Sequence, residues 1–411
     1  MIGAFVSSRR RFLAGSGALV ASLAVPGAAA ADAAMVTTTA DAAMPTTAAD
    51  AAMPTTAAYV AMPTTAADAA MVTPRRSLRF PDDEGSHPDS TIEWWYVTGW
   101  LADSSARPIG FQITFFRRRI ASAAGNPSRF APQQLIVAHA AIADPRRGRL
   151  LHAQRIGRSA FDLAGAAEHM TDVHIGEWAL RSHASRSQAN RSPADGGLRA
   201  VAIDRELRLD LMLDRTQPPL LQGNAGTSRK GRSTASASYY YSLPHLAVSG
   251  IMAAGDTTSR VTGRAWLDHE WSSAYMDPDA TGWDWIGINL DGGGALMAFQ
   301  MRGPEGKPIW SGATMRAPDG GTRSFEPADV RWMSTRRWQS PRTSVAYPVA
   351  WRIVVGDLEI ELEPLIDDQE LDARATTGPV YWEGAVAARA GGKVIGRGYL
   401  EMTGYWRAFR L

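Results

Sequence analysis

Short apolar runs separated by polar turns follow one another along the chain from Ile92 onward. The run Glu93–Leu101, rich in aromatic and β-branched residues, is followed by a polar turn and then by Phe111–Arg117. Such runs, recurring every 8–15 residues or so, are typical of antiparallel strands joined by hairpins. Long amphipathic helices and alternating strand–helix units are hard to find. The pattern therefore predicts an all-β protein, either a sandwich or a barrel.

The second half of the chain repeats this hairpin pattern. In Gly282–Arg302, two strand-like runs flank a glycine-rich turn, and the alignment matches Trp94 with Trp283 and Tyr96 with Trp285. Chance similarity between two hairpins is the alternative explanation, so a second match is needed to decide.

A second pair of segments matches in the same order. Gly250–Asp268 resembles Gly384–Glu401. Both segments have a glycine, an arginine and an aromatic residue at matching positions near their ends. Two matched pairs in register indicate tandem copies of one β module. We place the boundary just after Trp271, which gives domains at 75–271 and 272–411.

The first thirty residues have the pattern of an export signal. Ser8–Leu13 contains three adjacent arginines followed by Phe-Leu, and a short apolar run and Ala28–Ala30 come next. A basic start, an apolar core and a small-residue cleavage site are typical of a secretory signal, here of the twin-arginine subtype. A transmembrane helix is the alternative, but the run is short and rich in Gly and Ala. We predict a cleaved signal at 1–30 and a periplasmic or secreted protein with no transmembrane span in the mature chain.

A repeat with a period of nine residues follows the signal. Copies close to Asp-Ala-Ala-Met-Pro-Thr-Thr-Ala-Ala recur up to Asp68, and proline returns at 45, 54 and 63. These residues offer almost nothing that could fill a core. We predict a disordered low-complexity linker over 31–74, with a glycosylated or wall-spanning stalk as the alternative.

Composition removes several classes of function. The 43 basic and 41 acidic residues give a formal charge of +2, which argues against a histone-type polyanion-binding protein and against nucleic acid as a partner. Cysteine is absent, which excludes disulfides, zinc–thiolate sites, iron–sulfur clusters and cysteine nucleophiles.

All fourteen tryptophans lie at or after Trp94. We assign most of them to cores and predict that Trp94, Trp95, Tyr96, Trp283 and Trp285 line an apolar substrate cavity.

The residues that differ between the two copies are the first candidates for a site. The first copy ends in Asp268–Trp271, with sequence Asp-His-Glu-Trp, whereas the second has Glu-Met-Thr-Gly at 401–404. A scaffold shared by both copies does not require His269. Strand alternation places His269 and Trp271 on one face, and Asp268 and Glu270 on the other.

Asp284 is the second candidate. It shares a strand face with apolar Ile286 and Ile288, so loss of hydration is expected to raise the pKa of its carboxyl and make it a general acid. The alternative is an ordinary pair between Asp284 and an arginine or backbone amides. Glu93, in phase with Trp95, is a possible facing acid from the first copy or simply a charge at the start of a strand.

Other motifs are missing from the sequence. His269-Glu270 is not followed by the second histidine of a zincin motif, and the other histidines are scattered, so we predict no metal site. No Gly-x-Ser-x-Gly elbow supports a serine hydrolase. We also predict no organic cofactor.

Several motifs together resemble a known family. They are His87-Pro88-Asp89, Glu93-Trp94-Trp95-Tyr96, the Ser238–Ser242 strand, Trp266–Ser273 and Gly282-Trp283-Asp284-Trp285. They are similar to those of the lipocalin-like secreted proteins grouped with carotenoid 1,2-hydratase (hydroxyneurosporene synthase), which include AttH-like proteins labelled as secreted hydrolases. The resemblance covers about residues 75–411 and implies two tandem lipocalin-like antiparallel β-barrels.

The resemblance also implies a chemistry. Relatives in this family add water to an isolated alkene of a long isoprenoid, and their proposed site has a His-x-Trp pair, which His269 and Trp271 match. It also has a Tyr-x-Asp pair, for which Asp284 is the nearest acid, with Gly282 in the place of tyrosine. On this reading Asp284 protonates the alkene, His269 orients water or acts as base, and Trp271 faces the cation. Glu93, together with Asp268 and Glu270, is possible support.

Two functions from different classes are compatible with these features. One is a cofactor-free hydratase acting on an apolar isoprenoid or lipid. The other is an exported protein that binds such a molecule without converting it. In both cases the expected partners are an apolar small molecule and the twin-arginine export machinery.

Overall fold

The structure is a computed structural model that describes residues 69–73, 76–123, 125–128, 130–183 and 196–409. The predicted export signal and all of the predicted linker up to residue 68 lie outside the described residues.

The first half of the chain forms one antiparallel sheet of thirteen strands within the described residues. These are β1 (Ile92–Ala102), β2 (Pro108–Arg119), β3 (Gln134–Ala143), β4 (Leu151–Arg158), β5 (Ala164–Ala166), β6 (Asp172–Ile175), β7 (Trp178–His183), β8 (Gly197–Ile203), β9 (Leu207–Asp214), β10 (Leu220–Leu221), β11 (Thr227–Arg229), β12 (Ala237–Ala254) and β13 (Thr257–Ala274). The spatial order is β4-β3-β2-β1-β13-β12-β9-β8-β7-β6-β5, with β10 and β11 paired to β12. β1 therefore lies between β2 and β13, in the interior of the sheet.

The second half forms a similar sheet of ten described strands. These are β14 (Gly282–Leu290), β15 (Ala295–Arg302), β16 (Pro308–Arg316), β17 (Thr322–Phe325), β18 (Val330–Gln339), β19 (Ala346–Val355), β20 (Leu358–Pro364), β21 (Glu370–Asp372), β22 (Val380–Ala390) and β23 (Lys393–Met402). The order is β17-β16-β15-β14-β23-β22-β20-β19-β18, with β21 paired to β22. Described helical turns are limited to short 3₁₀ segments: Asp82–Glu84, Ala121–Ala123, Pro145–Arg147, Pro304–Gly306 and Pro327–Asp329.

Each sheet curls around its own apolar core. In the first sheet the edge strands β4 and β5 approach each other, and in the second β16 approaches β18. The first interior is filled by side chains such as Trp95, Val97 and Phe115, and the second by side chains such as Ile286 and Ile353. The prediction of two tandem lipocalin-like antiparallel barrels is confirmed, and the interior of each is occupied by packed side chains.

Strand alternation determines which residues face the partner barrel. On β1, Trp95 and Val97 point into the first core, so Tyr96 points outward. On β14, Ile286 points into the second core and Trp285 outward. The outward-facing side chains of both sheets form one shared apolar cluster. The two barrels therefore pack against each other through the side chains that strand alternation directs out of each barrel.

The pairing registers of the two halves are equivalent. Tyr96 of β1 pairs with Asp268 of β13, and Trp285 of β14 pairs with Glu401 of β23. This register reproduces the alignment that the sequence repeat predicts.

The structure also locates the predicted domain limits. The boundary predicted after Trp271 falls within β13, which continues to Ala274. At the other end, the amide of Ala70 donates a hydrogen bond to the Asp89 carbonyl at 3.0 Å, and that of Thr73 donates to the Tyr239 hydroxyl at 2.8 Å. Residues 69–73, assigned to the linker by the sequence, thus lie against the first barrel. Among the described residues, none forms a helix long and apolar enough to cross a bilayer.

Close packing between the barrels can be tested at Gly110. A Cβ atom there would lie 2.6 Å from the Cβ of Ala385 in the second barrel. We expect Gly110→Ala to lower the free energy of unfolding by about 1–3 kcal/mol, because the sheets must move apart. Chemical denaturation measures this loss. At the matched control position Gly292, the nearest atom, in Pro318, is 3.7 Å away. A Gly110→Ala protein as stable as Gly292→Ala would contradict the packing argument.

Candidate active site

A cavity of about 170 Å³ lies between the two barrels. Its aromatic walls come from both halves of the chain: Trp94, Tyr96, Tyr275, Trp283, Trp285 and Phe409. Five acidic residues also line it: Asp268, Glu270, Glu383 and Glu401, and Glu93, whose carboxylate is held inside the first barrel by Arg117 and His269. An apolar cavity lined by several acids and aromatic rings is an unusual environment. The protonation states of these acids decide what chemistry the cavity can support.

Glu383 and Glu401 form a carboxyl pair. They are directly opposed on β22 and β23, and opposed Cβ atoms in an antiparallel sheet are about 5 Å apart. The Tyr96 hydroxyl donates to Glu383 at 2.9 Å, and the Gln112 amide donates to its other oxygen. Burial raises the pKa of Glu383 to about 7 and raises that of Glu401 well above its usual value, with a further increase from Glu383. Two like charges this close cannot both be ionised at low cost, so the pair retains a proton near neutral pH.

Asp268 is the third acid. Its carboxylate accepts hydrogen bonds from Tyr240 and Ser242, both at 2.5 Å, and from the Trp266 indole at 2.6 Å. Burial nevertheless raises the pKa of Asp268 to about 7, because these neutral donors only partly offset the loss of hydration. The Trp285 indole donates to Tyr240 at 3.0 Å and links this group to the second barrel.

Glu270 has a different environment. The Lys230 ammonium lies 2.8 Å from its carboxylate, and the ammonium also lies 4.3 Å from the ring centre of Phe299 and 4.8 Å from that of Tyr240. Burial raises the pKa of Glu270, and Lys230 opposes that increase. Of Asp268, Glu270, Glu383 and Glu401, Glu270 is the acid that forms an ion pair within the described part of the chain. Glu270 is therefore the member of the four that is best stabilised as an anion.

A hydrogen-bonded chain extends from the cavity wall across both barrels. The Thr376 hydroxyl donates its one hydrogen to Gln154 at 2.6 Å. It must therefore accept the hydrogen bond that joins it to His139, so the Nε2–H of His139 is the donor at 2.9 Å. The Nδ1 atom of His139 then accepts from the Tyr381 hydroxyl at 2.8 Å. Burial lowers the pKa of His139 to about 3, which keeps the ring neutral. Tyr381 is also a side-chain hydrogen-bond partner of Glu383, so this chain connects the carboxyl pair with the partly exposed Gln154.

The predicted residues His269 and Trp271 lie elsewhere, inside the first barrel. The Nε2 atom of His269 is 2.9 Å from Glu93, and its Nδ1 is 3.2 Å from the Tyr241 hydroxyl. Trp271 stacks on His87, with ring centres 3.7 Å apart. As alternation predicts, these side chains point away from Asp268 and Glu270. Neither His269 nor Trp271 lines the cavity.

Glu93 is the centre of a buried ion cluster in this barrel. Its carboxylate contacts Arg117 at 2.6 Å and His87 at 2.7 Å, besides His269. Burial alone would raise the pKa of Glu93, but hydrogen bonds from both histidines and the charge of Arg117 lower it well below its usual range. For His87, burial alone would lower the pKa, because the charged form of histidine is the protonated one. Its hydrogen bonds to Asp83 and Glu93 outweigh this effect and raise the pKa. The charges of this cluster compensate one another.

The same cluster is where the described residues come nearest to a metal site. Candidate ligand atoms of His87, Glu93 and His269 lie within 4.8 Å of one another. However, both nitrogens of His87 face carboxylates, and the second oxygen of Glu93 holds the Arg117 guanidinium. A cation would have to displace these contacts and face that positive charge. We assign the cluster to the stability of the barrel.

Asp284 lies inside the second barrel. Its carboxylate accepts from Gln300 at 2.7 Å and from Tyr405 at 3.0 Å, and it pairs with Arg302 at 2.8 Å. Burial raises the pKa of Asp284, and Arg302 opposes that increase. Asp284 thus forms a pair with an arginine, the alternative that the sequence left open for it, and it lies in a different core from His269.

The structure brings together only part of the predicted site. Trp94, Tyr96, Trp283 and Trp285 line the cavity, as do Asp268 and Glu270. Glu93 borders it while its carboxylate belongs to the buried ion cluster. Trp95 requires a correction: it is buried in the first core and stacks on His269 with ring centres 4.6 Å apart. Alternation along β1 turns it away from the face that carries Trp94.

Sequence reasoning missed the carboxyl pair and the histidine chain. Glu383 and Glu401 each interrupt an apolar run, in Val380–Val386 and Gly398–Met402. That interruption is the signal that could have identified them, since acids rarely occur in buried strands without a reason. His139 gave no such signal, because its partners Tyr381 and Thr376 are more than 230 positions away in the sequence.

Comparisons with known proteins agree with this fold. The family model described as AttH-like matches residues 71–405. The crystal structure of a protein assigned as AttH from Nitrosomonas europaea is 48% identical, with a TM-score of 0.75 over 82% of this chain and 99% of that one. Kievitone hydratase from Nectria haematococca shares the fold at 14% identity, with a TM-score of 0.62 over 82% of this chain and 97% of that one. Among curated proteins, none matches this chain.

The protonation of the carboxyl pair predicts how stability changes with pH. Glu383 and Asp268 have pKa values of about 7 in the folded chain, against ordinary values near 4 when exposed. The folded state therefore binds more protons, and this contribution to stability is full below pH 4 and is lost as the pH rises through 7. We expect the free energy of unfolding to fall from pH 5 to 8, and Glu383→Gln to make that fall shallower. Denaturant titrations across this range measure it, with exposed Glu326→Gln as control. Equal slopes in wild type and Glu383→Gln would contradict the assignment.

Proposed function

The chain belongs to the AttH-like family, and we propose that it is a hydro-lyase that adds water to an isolated carbon–carbon double bond of an apolar molecule. One observation carries the proposal: the proton-retaining pair Glu383–Glu401 lies in an aromatic cavity between the barrels. Protonating an alkene carbon requires an acid that is still protonated near neutral pH and is shielded from water.

In the first step, the protonated member of the Glu383–Glu401 pair transfers its proton to one alkene carbon. The π electrons form the new C–H bond, and the other carbon becomes a cation. A trisubstituted double bond, as in isoprenoids, places that cation on a tertiary carbon and so lowers the barrier. This requirement favours an isoprenoid or a branched lipid as substrate.

The aromatic walls then stabilise the cation. The faces of Trp94, Trp283 and Trp285 border the cavity, and cation–π attraction contributes about 0.5–2 kcal/mol for each well-placed ring. Glu270 also lines the cavity, and the Lys230 ammonium beside it favours its ionised form. Low hydration of the cavity protects the cation from uncontrolled attack by solvent.

In the last step, a water oxygen forms the C–O bond and releases a proton. Glu270 is the carboxylate best suited to accept that proton, because Lys230 favours its ionised form. The chain through Tyr381, His139, Thr376 and Gln154 then allows the carboxyl pair to exchange protons with solvent. The double bond gains one hydrogen and one hydroxyl group. The proton taken up by Glu270 offsets the one given up by the carboxyl pair, so the overall reaction consumes water alone.

The family and its fold support this proposal. Kievitone hydratase, a protein of the same fold, is named for adding water to its substrate. The carboxyl pair takes the role that the sequence assigned to Asp284, because Asp284 is held by Arg302 inside the second barrel. Export through the predicted signal at 1–30 remains part of the proposal, and would place the reaction in the periplasm or outside the cell.

Replacement of the two acids tests the reaction. We expect Glu383→Gln and Glu401→Gln each to reduce turnover at least about a hundredfold, since general acid catalysis typically contributes that much or more. The assay incubates the protein with trisubstituted isoprenoid alkenes in D₂O and detects the alcohol by mass spectrometry. Each product molecule should carry one deuterium on carbon.

Controls separate this proposal from its alternatives. Exposed Glu326→Gln should leave turnover unchanged, and binding of the alkene to Glu383→Gln should persist. If wild type binds the alkenes and returns them unchanged, the protein is a lipid-binding module and the hydro-lyase proposal is wrong. If folded Asp284→Asn loses turnover while Glu401→Gln retains it, the acid has been misassigned.

A further inference from the structure

The outer face of β2, β3 and β4 continues from the cavity to the protein surface. Phe116 pairs with Val137, and Val137 pairs with Ile156, so these three side chains form a row across the strands. All three line the cavity, and Ile156 on the edge strand is 48% exposed. An apolar path therefore leads from the cavity to solvent.

An apolar tip lies just beyond this row, formed by Phe130, Phe161 and Leu163. Phe130 and Leu163 are the two most exposed large apolar side chains among the described residues, at 66% and 67%. The rings of Phe130 and Phe161 lie 5.2 Å apart, so the tip is a cluster. Exposed apolar clusters on soluble proteins mark interaction sites.

The surrounding chain is strongly basic. From Arg107 to Arg158 the sequence contains ten arginines and a single acidic residue, Asp144. Three of them add little charge to the outer face, because Arg117 is buried against Glu93, and Arg107 and Arg146 pair with Asp103 and Asp144. On the same face as the apolar row, Arg118 lies opposite Leu135, and Leu135 lies opposite Arg158. Arg118 and Arg158 therefore border the apolar row.

We propose that the outer face of β2–β4, together with the apolar tip, docks on the surface of an anionic lipid bilayer. The tip enters the boundary between headgroups and acyl chains, while the arginines attract anionic headgroups. We propose a lipid surface because the arginines complement anionic headgroups and because the apolar row is continuous with the cavity. A double bond in a membrane-borne molecule would reach the cavity along that row without crossing water.

Vesicle binding tests this surface directly. The wild-type protein should co-sediment with vesicles of equal parts phosphatidylcholine and phosphatidylglycerol, and more weakly with phosphatidylcholine alone. Added salt should weaken the binding, since it screens the arginines. The double variant Phe130→Ser/Leu163→Ser should partition at least about tenfold more weakly, because it removes the apolar anchors.

A matched control uses exposed apolar residues elsewhere on the molecule. Ile251 on β12 and Met333 on β18 are 36% and 42% exposed, and Ile251→Ser/Met333→Ser should bind vesicles like wild type. The proposal is overturned if wild type does not bind the anionic vesicles, or if both double variants lose binding equally. It is also overturned if the apolar tip mediates a dimer in solution that Phe130→Ser/Leu163→Ser abolishes while vesicle binding stays unchanged.

Docking and catalysis can fail separately. Vesicle binding requires no turnover, so a protein that docks without converting alkenes contradicts only the hydro-lyase proposal. Conversely, a protein that converts a detergent-solubilised alkene but ignores vesicles contradicts only the docking surface.

Discussion

Loss of hydration between the two barrels is the constraint on which the candidate site depends. The outer faces of β1, β13, β14, β22 and β23 pack together around one shared apolar cluster, and this packing buries Asp268 and Glu383 away from water. Asp268 and Glu383 receive several hydrogen bonds, yet burial still raises the pKa of each to about 7. Neutral donors stabilise a carboxylate, but they do not replace its hydration or supply a positive charge.

The two barrels contain buried charges of a different kind. In the first core, Glu93 contacts Arg117 and two histidines, and its pKa is lowered despite complete burial. In the second core, Asp284 contacts Arg302. Each of these acids is matched by a cation in its own barrel, which satisfies the charge and leaves it little freedom to exchange protons. Of the four acids Asp268, Glu270, Glu383 and Glu401 between the barrels, Glu270 is the one with such a partner among the described residues, in Lys230. The molecule thus separates charges that stabilise the fold from acids that can react.

The sequence was sufficient for the fold because the fold depends on local patterns. The aromatic and β-branched run Glu93–Leu101 predicted a strand, and the repeat of its hairpin at Gly282–Arg302 predicted a second copy of the same β module, which the family resemblance identified as a barrel. The same alternation correctly separated His269 from Asp268. It could not show which of the two faces would hold the cavity, since that depends on how the sheets pack. The expectation that His269 and Asp284 share a site came from a motif resemblance, and the two cores place these side chains apart.

Duplication explains how a site of this kind can arise at the contact of two similar modules. Ser242 opposes Asp268 in the first copy, and Glu383 opposes Glu401 at the equivalent position in the second. A serine hydroxyl opposite an acid donates a hydrogen bond to it, as Ser242 does at 2.5 Å. A second carboxyl at that position must share a proton instead. Ser242 of the first copy is matched by Glu383 in the second, and Asp268 by Glu401, so a hydrogen-bonded acid in one copy corresponds to a coupled pair of acids in the other. Because both faces contribute walls to one cavity, neither barrel alone would keep that pair out of water.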